Sequence, residues 1–346
     1  MKIAVLEHFT ALPRVAPAAD RAGEGRAMRD AVVADLARLP GARVLVVERR
    51  RDFRAALRRA DAALVVAPEE SRILERLCRL VERSGRTLLG PSSEAVRFLA
   101  DKLRTARVLA AAGVPTPRTR VLAFVSARRA LRRMRTPFVL KPRDGCGGQG
   151  VVVVRLRRQI DAALDVVRRA TRRDDLLAQD YVPGAPASVS LVVSAATLDL
   201  GLNRQRLRRG RTPAYLGGET FWPHARADEA VTAARAAAGA LRDSCAGVRG
   251  YLGVDLVIGR TGATVIEVNP RLTTSYVGLR VSIRENLASL IVDAVAGRPL
   301  PERITRVGRC RFRIDGATAM RPIGARGLGT RRTWRIISAG TSAASI

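Results

Sequence analysis

Apolar runs and amphipathic stretches alternate along residues 1–95. "KIAVLE", "RVLVVE" and "AALVVAP" are β-rich runs. Between the first two, "EGRAMRDAVVADLARLPG" puts Met28, Val32 and Leu36 on one helical face, and Pro40-Gly41 stops it. "EESRILERLCRLVERSG" is a second amphipathic helix closed by glycine. Strands alternating with helices predict a small open parallel sheet, an α/β domain. "GPSSEAVRFLADKLRTARVLAAAGVPTP" follows, with a serine cap and a Gly113/Pro115 stop, and reads as a helical bridge over 96–114. From 115 to 302 the strands lengthen and helices thin out, an α+β arrangement of two halves, 115–182 and 183–302. Residues 303–346 form a C-terminal extension. Beyond "RVGRCRFRIDG" its periodicity fades into Gly, Arg, Ser and Ala, and 317–346 read as mostly disordered.

Within the second half, "YLGVDLVIG" and "VIEVN" are strand-like runs joined by "GRTG", which is hairpin chemistry. Period-2 alternation puts Glu267 and Asn269 on one face, roughly 6–7 Å apart. A three-residue loop, Arg260 to Gly262, pairs Gly259 with Ala263 and sets Asp255 opposite Glu267. Directly opposed like charges repel at ~5 Å. Two carboxylates and an amide oxygen suit a hard cation such as Mg²⁺. A solvated hairpin face paired to arginines is the other reading these residues allow.

"PFVLKPRDGCGGQGVVVVRL" contains G-x-G-x-x-G at Gly145, Gly147 and Gly150. A dinucleotide fingerprint needs a helix directly after the loop, whereas four valines follow here. What remains is strand, glycine-rich loop, strand, whose bare N–H groups, Gly148 included, can fold over phosphates. Lys141, at the end of the first strand, could reach a phosphate as a point charge. In "LLAQDYVPGAPASVSLVV", a β-run reaches Gln179-Asp180-Tyr181-Val182, turns at Pro183-Gly184 and resumes. Such a hinge offers unpaired backbone groups to an adenine edge, although a plain strand–turn–strand fits the local pattern equally.

Composition narrows the classes. The net charge of +31 invites a nucleic-acid reading. Yet the basic residues spread over every segment, and 4% aromatics leave no evident stacking platform. Of 62 basic residues only Lys2, Lys102 and Lys141 are lysine, a skew that looks like codon bias. No apolar stretch approaches the ~20 residues of a membrane span, and the start is too acidic and short for a signal peptide. Cys78, Cys146, Cys245 and Cys310 have neither CxxC spacing nor a disulfide pattern, so a reducing cytoplasm is expected. His8 and His224 are too few for a histidine metal site.

Taken in order, these segments resemble the ATP-grasp superfamily over residues 1–300. The resemblance implies an α/β N-terminal domain followed by an α+β ATP-grasp fold whose two subdomains clasp ATP. By analogy, Lys102 and Lys141 look like the nucleotide-phosphate lysines and Gly145 to Gly150 like the closing loop. Gln179 to Val182 would be the adenine hinge. Asp255, Glu267 and Asn269 match the ligands of Mg²⁺ (or Mn²⁺), and "EVNPR" resembles the Glu-x-Asn-x-Arg motif of biotin carboxylase-type members. Ribose recognition departs from the related peptide ligases, since "GAPAS" offers only Pro186 and Ser188. Gly253 stands where those ligases carry an arginine, and Arg271 is expected to take over its charge-stabilising role.

"LEHFTA", "EGRAM", "APEESRILERL", "LNRQRL", "GYLGVDL" and "EVNPRLTTSYVGLR" look most like the tyramine–L-glutamate ligase type of methanofuran biosynthesis and its methylotroph relatives. The implied reaction is amide formation through an acylphosphate, with Arg271 and Lys141 catalytic. Arg204, Thr273, Thr274 and Ser275 would hold substrate carboxylates. The expected partners are small amino acids and amines, with no membrane and no nucleic acid, and a homodimer is compatible. An ATP-grasp ligase for another amino acid or peptide pair is the alternative. A basic nucleic-acid-binding protein is the alternative from another class.

Overall fold

The computed structural model describes residues 1–12, 19–208, 210, 212, 214–314, 316–322 and 335–337. β1 (Lys2–Glu7), α1 (Ala19–Leu36), β2 (Arg43–Val46), α2 (Phe53–Arg59), β3 (Ala62–Val66), α3 (Ile73–Arg83) and β4 (Thr87–Leu88) build the first unit. Its sheet is parallel throughout, in the order β2-β1-β3-β4. Burial follows the periodicity. Met28, Val32 and Leu36 are buried on α1, and Leu74, Leu77, Cys78 and Val81 on α3. β1 and β3 carry apolar residues on both faces because helices cover both.

α4 (Ser93–Leu99) and α5 (Lys102–Ala111) bridge to a four-stranded antiparallel sheet. It contains β5 (Thr119–Ala123), β6 (Phe138–Lys141), β7 (Val152–Val154) and β8 (Asp175–Asp180) in the order β5-β8-β6-β7. α6 (Phe124–Leu131) and α7 (Ile160–Ala170) pack on it through Leu131, Ile160, Ala163 and Val167.

The rest of the chain forms one eight-stranded sheet. Its strands are β9 (Ala185–Val193), β10 (Thr197–Arg208), β11 (Ala214–Glu219), β12 (Gly250–Ile258) and β13 (Ala263–Asn269), then β14 (Gly308–Arg313), β15 (Thr318–Pro322) and β16 (Arg335–Ile337). α8 (Ala227–Ser244) covers one face with Leu241 and with Ala230, Ala233, Ala234, Ala237 and Ala238, alanines that allow a close approach. α9 (Ser275–Ser282) and α10 (Leu287–Val295) cover the other face and share a core with α1. The shared core is bolted by Asp35 of α1, fully buried, which accepts hydrogen bonds from Tyr276 and Arg280 of α9.

Disorder was expected from residue 317 onward, but 318–322 and 335–337 are strands. β14 buries Cys310 and Phe312, and its free edge pairs with β15, which pairs with β16. Backbone pairing needs no apolar periodicity, so composition did not reveal it. Residues 323–334 and 338–346 of the expected tail lie outside the described residues. Among the described residues no helix is long and apolar enough to cross a membrane.

Candidate active site

The β12–β13 hairpin sets Asp255 directly opposite Glu267 and Gly253 opposite Asn269. The expected pair is present, through a different turn. Ile258, not Gly259, faces Ala263, and Gly259 N–H closes on Gly262 carbonyl at 2.9 Å. A register shift between Asp255 and Leu256 then leaves Ile266 as the extra residue of a bulge and restores the carboxylate pairing. Asn269 Nδ2 donates to Asp255 Oδ2 at 3.1 Å, and Gln205 Nε2 donates to Oδ1 at 2.7 Å.

Two lysines converge on this pair. Lys102 opens α5, whose N-cap Asp101 accepts from the Leu103 and Arg104 N–H groups. Its Nζ donates to Gly145 carbonyl at 2.6 Å and to Glu267 Oε1 at 2.9 Å. Arg143 ties the root of the glycine loop to Asp101 at the start of α5 and to Asp175 of β8. Lys141, at the end of β6, is 2% exposed, and among the described residues its Nζ makes no hydrogen bond. Gly147, Gly148 and Gly150 sit at φ +62°, +73° and +68°, and a Cβ on Gly150 would lie 2.5 Å from the Ala170 Cβ. The loop therefore requires glycine for both backbone and space.

The charges are strongly coupled. Burial and the facing Glu267 push Asp255 up to about 7, against the pull of its Asn269 hydrogen bond and Arg271. Burial also opposes ionisation of Glu267, but Lys102 and Lys141 outweigh it and hold that carboxyl below its usual range. For Lys102, burial is outweighed by Glu267 and the ammonium is stabilised. For Lys141 burial wins, with Lys102 adding to it, and the value falls to about 8 despite Glu267.

The carboxylate pair and part of the glycine loop border a cavity of about 760 Å³ between the first unit, the loop and the large sheet. Asp255, Glu267, Asn269, Arg271, Thr273, Thr274 and Ser275 line it, as do Gly147, Gly148, Pro186 and Ser188. Residues Gln179 to Val182 do not. Gln179 is buried with Nε2 on Thr119 Oγ1 at 2.7 Å, Asp180 is exposed, and Tyr181 lies under Arg155 at 5.3 Å. Arg204 departs from expectation. Alternation along β10 turns Gln205 toward Asp255 and Arg204 to the opposite face, where it stacks over Trp222 at 5.5 Å. Gln205, not Arg204, lines the cavity.

A family model of the ATP-grasp domain matches residues 99–275, and one of the pre ATP-grasp 3 domain matches residues 27–96. The chain belongs to the ATP-grasp family. It is 31% identical over 233 residues, 67% of this chain, to tyramine–L-glutamate ligase of Methanocaldococcus jannaschii, and the match spans 62% of that enzyme's length. An ATP-grasp superfamily protein of Archaeoglobus fulgidus superposes with a TM-score of 0.68 at 23% identity, covering 97% of this chain and 99% of that one. The biotin carboxylase domain of Hydrogenobacter thermophilus 2-oxoglutarate carboxylase, solved with MgADP, gives 0.66 at 18% identity, covering 92% and 74%. The two structural likenesses establish the shared fold.

Several residues of this ATP-grasp chain were missed from sequence. Glu7, Phe9, Glu24, Met28 and Tyr215 line the cavity together with Gln205 and Cys146. Glu7 ends β1 and accepts from the Phe9 and Thr10 N–H groups, while Glu24 accepts from the Thr274 hydroxyl. "LEHFTA" and "EGRAM" contain the two glutamates, but nothing local says that β1 and α1 face the large sheet. Gly253 also finds its reason: a Cβ there would lie 2.4 Å from Thr273 Cγ2, so the arginine of the peptide ligases has no room.

The donor set fits a hard divalent cation. Among the described residues no three His, Cys, Asp or Glu side chains form a metal cluster, so any ion here relies on two carboxylates and an amide. Asp255 is raised chiefly by burial and then by the facing Glu267, and the charge of a bound cation would favour its ionised form. Lys141 is the second sign of a ligand, a buried ammonium without an acceptor. Lys141→Met is expected to lower turnover about 10²–10³-fold, the scale for losing one preorganised donor. Steady-state kinetics check this, and an unchanged rate and ATP affinity would make Lys141 structural.

Proposed function

We propose that the protein is a carboxylate–amine ligase that uses ATP with Mg²⁺ or Mn²⁺. The observation that carries this is the meeting, in one cavity, of the opposed Asp255–Glu267 pair and the glycine loop, with Lys102 bonded to Glu267. Lys141, its ammonium without an acceptor, lies within electrostatic reach of both carboxylates. Asp255, Glu267 and Asn269 would hold the cation, which would supply positive charge against the phosphate oxygens. Lys102 and Lys141 face the nucleotide phosphates, and the glycine loop excludes water above them.

A substrate carboxylate attacks the γ-phosphorus, the bond to ADP breaks, and an acylphosphate forms. An amine then displaces phosphate and gives up its proton. Arg271 faces the charge that develops on the transferred group. Catalysis of this kind rests on placement and charge, and no protein nucleophile takes part.

L-Glutamate as donor and tyramine or tyrosine as acceptor is the substrate pair this reading favours, as in methanofuran-type cofactor biosynthesis. The likeness to tyramine–L-glutamate ligase supports it. So does the wall contributed by the first unit, where Glu7 and Glu24 stand beside Phe9 and Met28. Carboxylates next to an apolar surface suit an amine with an aromatic group. The test is ADP release from ATP, Mg²⁺ and L-glutamate with a panel of amines. Release that depends on a phenolic amine is expected, whereas equal rates with D-alanine or a second glutamate would overturn the substrate assignment.

A further inference from the structure

Arg271 enters the cavity on the strand-to-helix segment between β13 and α9, and its guanidinium is held from two sides. Nε donates to Glu69 Oε1 at 2.9 Å and Nη1 to Leu272 carbonyl at 3.2 Å. Among the described residues Nη2 makes no hydrogen bond. The geometry is selective. A carboxylate that took both Nη groups in a fork would consume the edge that recognises phosphate or carboxylate. Contact through Nε fixes the plane of the guanidinium and leaves an Nη donor for a ligand.

Glu69 belongs to the first unit, three residues beyond β3, and directly follows Ala67 and Pro68, which line the cavity. It is 4% exposed, and among the described residues Oε2 has no hydrogen-bond partner. A carboxylate retained for packing alone would be an expensive choice, since a buried oxygen is left unpaired. The backbone beside it is strained as well. Ser71 and Arg72 are consecutive non-glycine residues at φ +50° and +58°. Side chains disfavour that region, and such strain gathers where a turn must present a particular group. Here the turn brings Glu69 back under Arg271, 202 residues further along the chain.

We propose that Glu69 is a positioning residue, which orients Arg271 so that Nη2 faces the phosphoryl or acyl-phosphate oxygens formed in the cavity. The N-terminal unit thereby completes the catalytic arrangement contributed by the ATP-grasp domain. The proposal rests on the ligase reading for the identity of those oxygens.

A double-mutant cycle tests it, with Glu69→Ala, Arg271→Ala and both together. Glu69→Ala should lower kcat about 10- to 100-fold, the cost of a misplaced charge-stabilising group, with KM for ATP within about twofold. Added to Arg271→Ala, it should cost nothing further. Glu69→Gln, which keeps an acceptor oxygen for Nε, should recover most of the loss and guards against a folding defect in the alanine variant. A second readout needs no turnover: calorimetric binding of inorganic phosphate to protein saturated with MgADP. Glu69→Ala, Arg271→Ala and the double variant should weaken that binding by the same factor. Independent, multiplying losses in the cycle would overturn the proposal, and so would phosphate binding that Glu69→Ala leaves unchanged. Absence of amine-dependent turnover in the unaltered protein would refute the ligase reading, and the phosphate titration would then decide the role of Glu69 alone.

Discussion

Glu267→Gln is expected to abolish amine-dependent ADP release, by about 10³-fold or more, while the fold stays intact. Gln conserves volume and keeps an oxygen acceptor, so packing changes little. The electrostatics change in three places. Lys102 loses its ionised partner at 2.9 Å and keeps only Gly145 carbonyl. Lys141, already lowered to about 8 by burial, loses the charge that most supports its ammonium. Asp255 loses the facing carboxylate that helps raise it to about 7, and ionises more readily. That last change works in the cation's favour, but one full ligand charge is gone and the remaining ligands are one carboxylate and two neutral amide oxygens.

Loss of the ligand charge outweighs the gain at Asp255, because a hard cation depends on anionic oxygens. The rate should therefore fall, and the Mg²⁺ concentration for half-maximal activity should rise. Titration of activity against Mg²⁺, beside a urea midpoint for the fold, reads both. Unaltered turnover at low Mg²⁺ would remove Glu267 from the cation site.

The hairpin shows how far the sequence carries. Its strands, glycine turn and alternation are local, and they predict Asp255 opposite Glu267. The turn itself was read one residue short, and the bulge at Ile266 repaired the error. Arg204 shows the converse. Which face of a strand meets a cavity depends on parity, and parity depends on neighbours that a single strand does not reveal. β10 carries register shifts against both β9 and β11. Glu7, Glu24 and Glu69 were missed for another reason. Each lies in or beside a plain αβ unit, and their role comes from docking that unit against residues some 200 positions later. No periodicity encodes such a contact. Lys141 was legible because a strand end, a lysine and a glycine loop are adjacent in sequence.

The same docking makes Asp35→Ala a large stability defect. Asp35 is fully buried at the junction of α1 and α9. Oδ2 accepts from Tyr276 hydroxyl at 2.8 Å, and Oδ1 accepts from Arg280 Nη2 and from Arg38 Nη2, each at 2.8 Å. Alanine removes the acceptor for all three partners. It leaves the fully buried Tyr276 hydroxyl unpaired and Arg280, 23% exposed, without its counter-charge. Breaking one side of a buried ion pair costs about 3–5 kcal/mol. The lower end is expected here, because Arg280 reaches some solvent and Arg38 is 48% exposed. Asp35→Asn keeps an acceptor for Tyr276 and should lose less. Because α1 also carries Glu24, the damage should reach the cavity before global unfolding. Amine-dependent activity should then decay at lower urea than the far-ultraviolet signal. Coincident transitions at the unaltered midpoint would show that the junction does not hold the two units together.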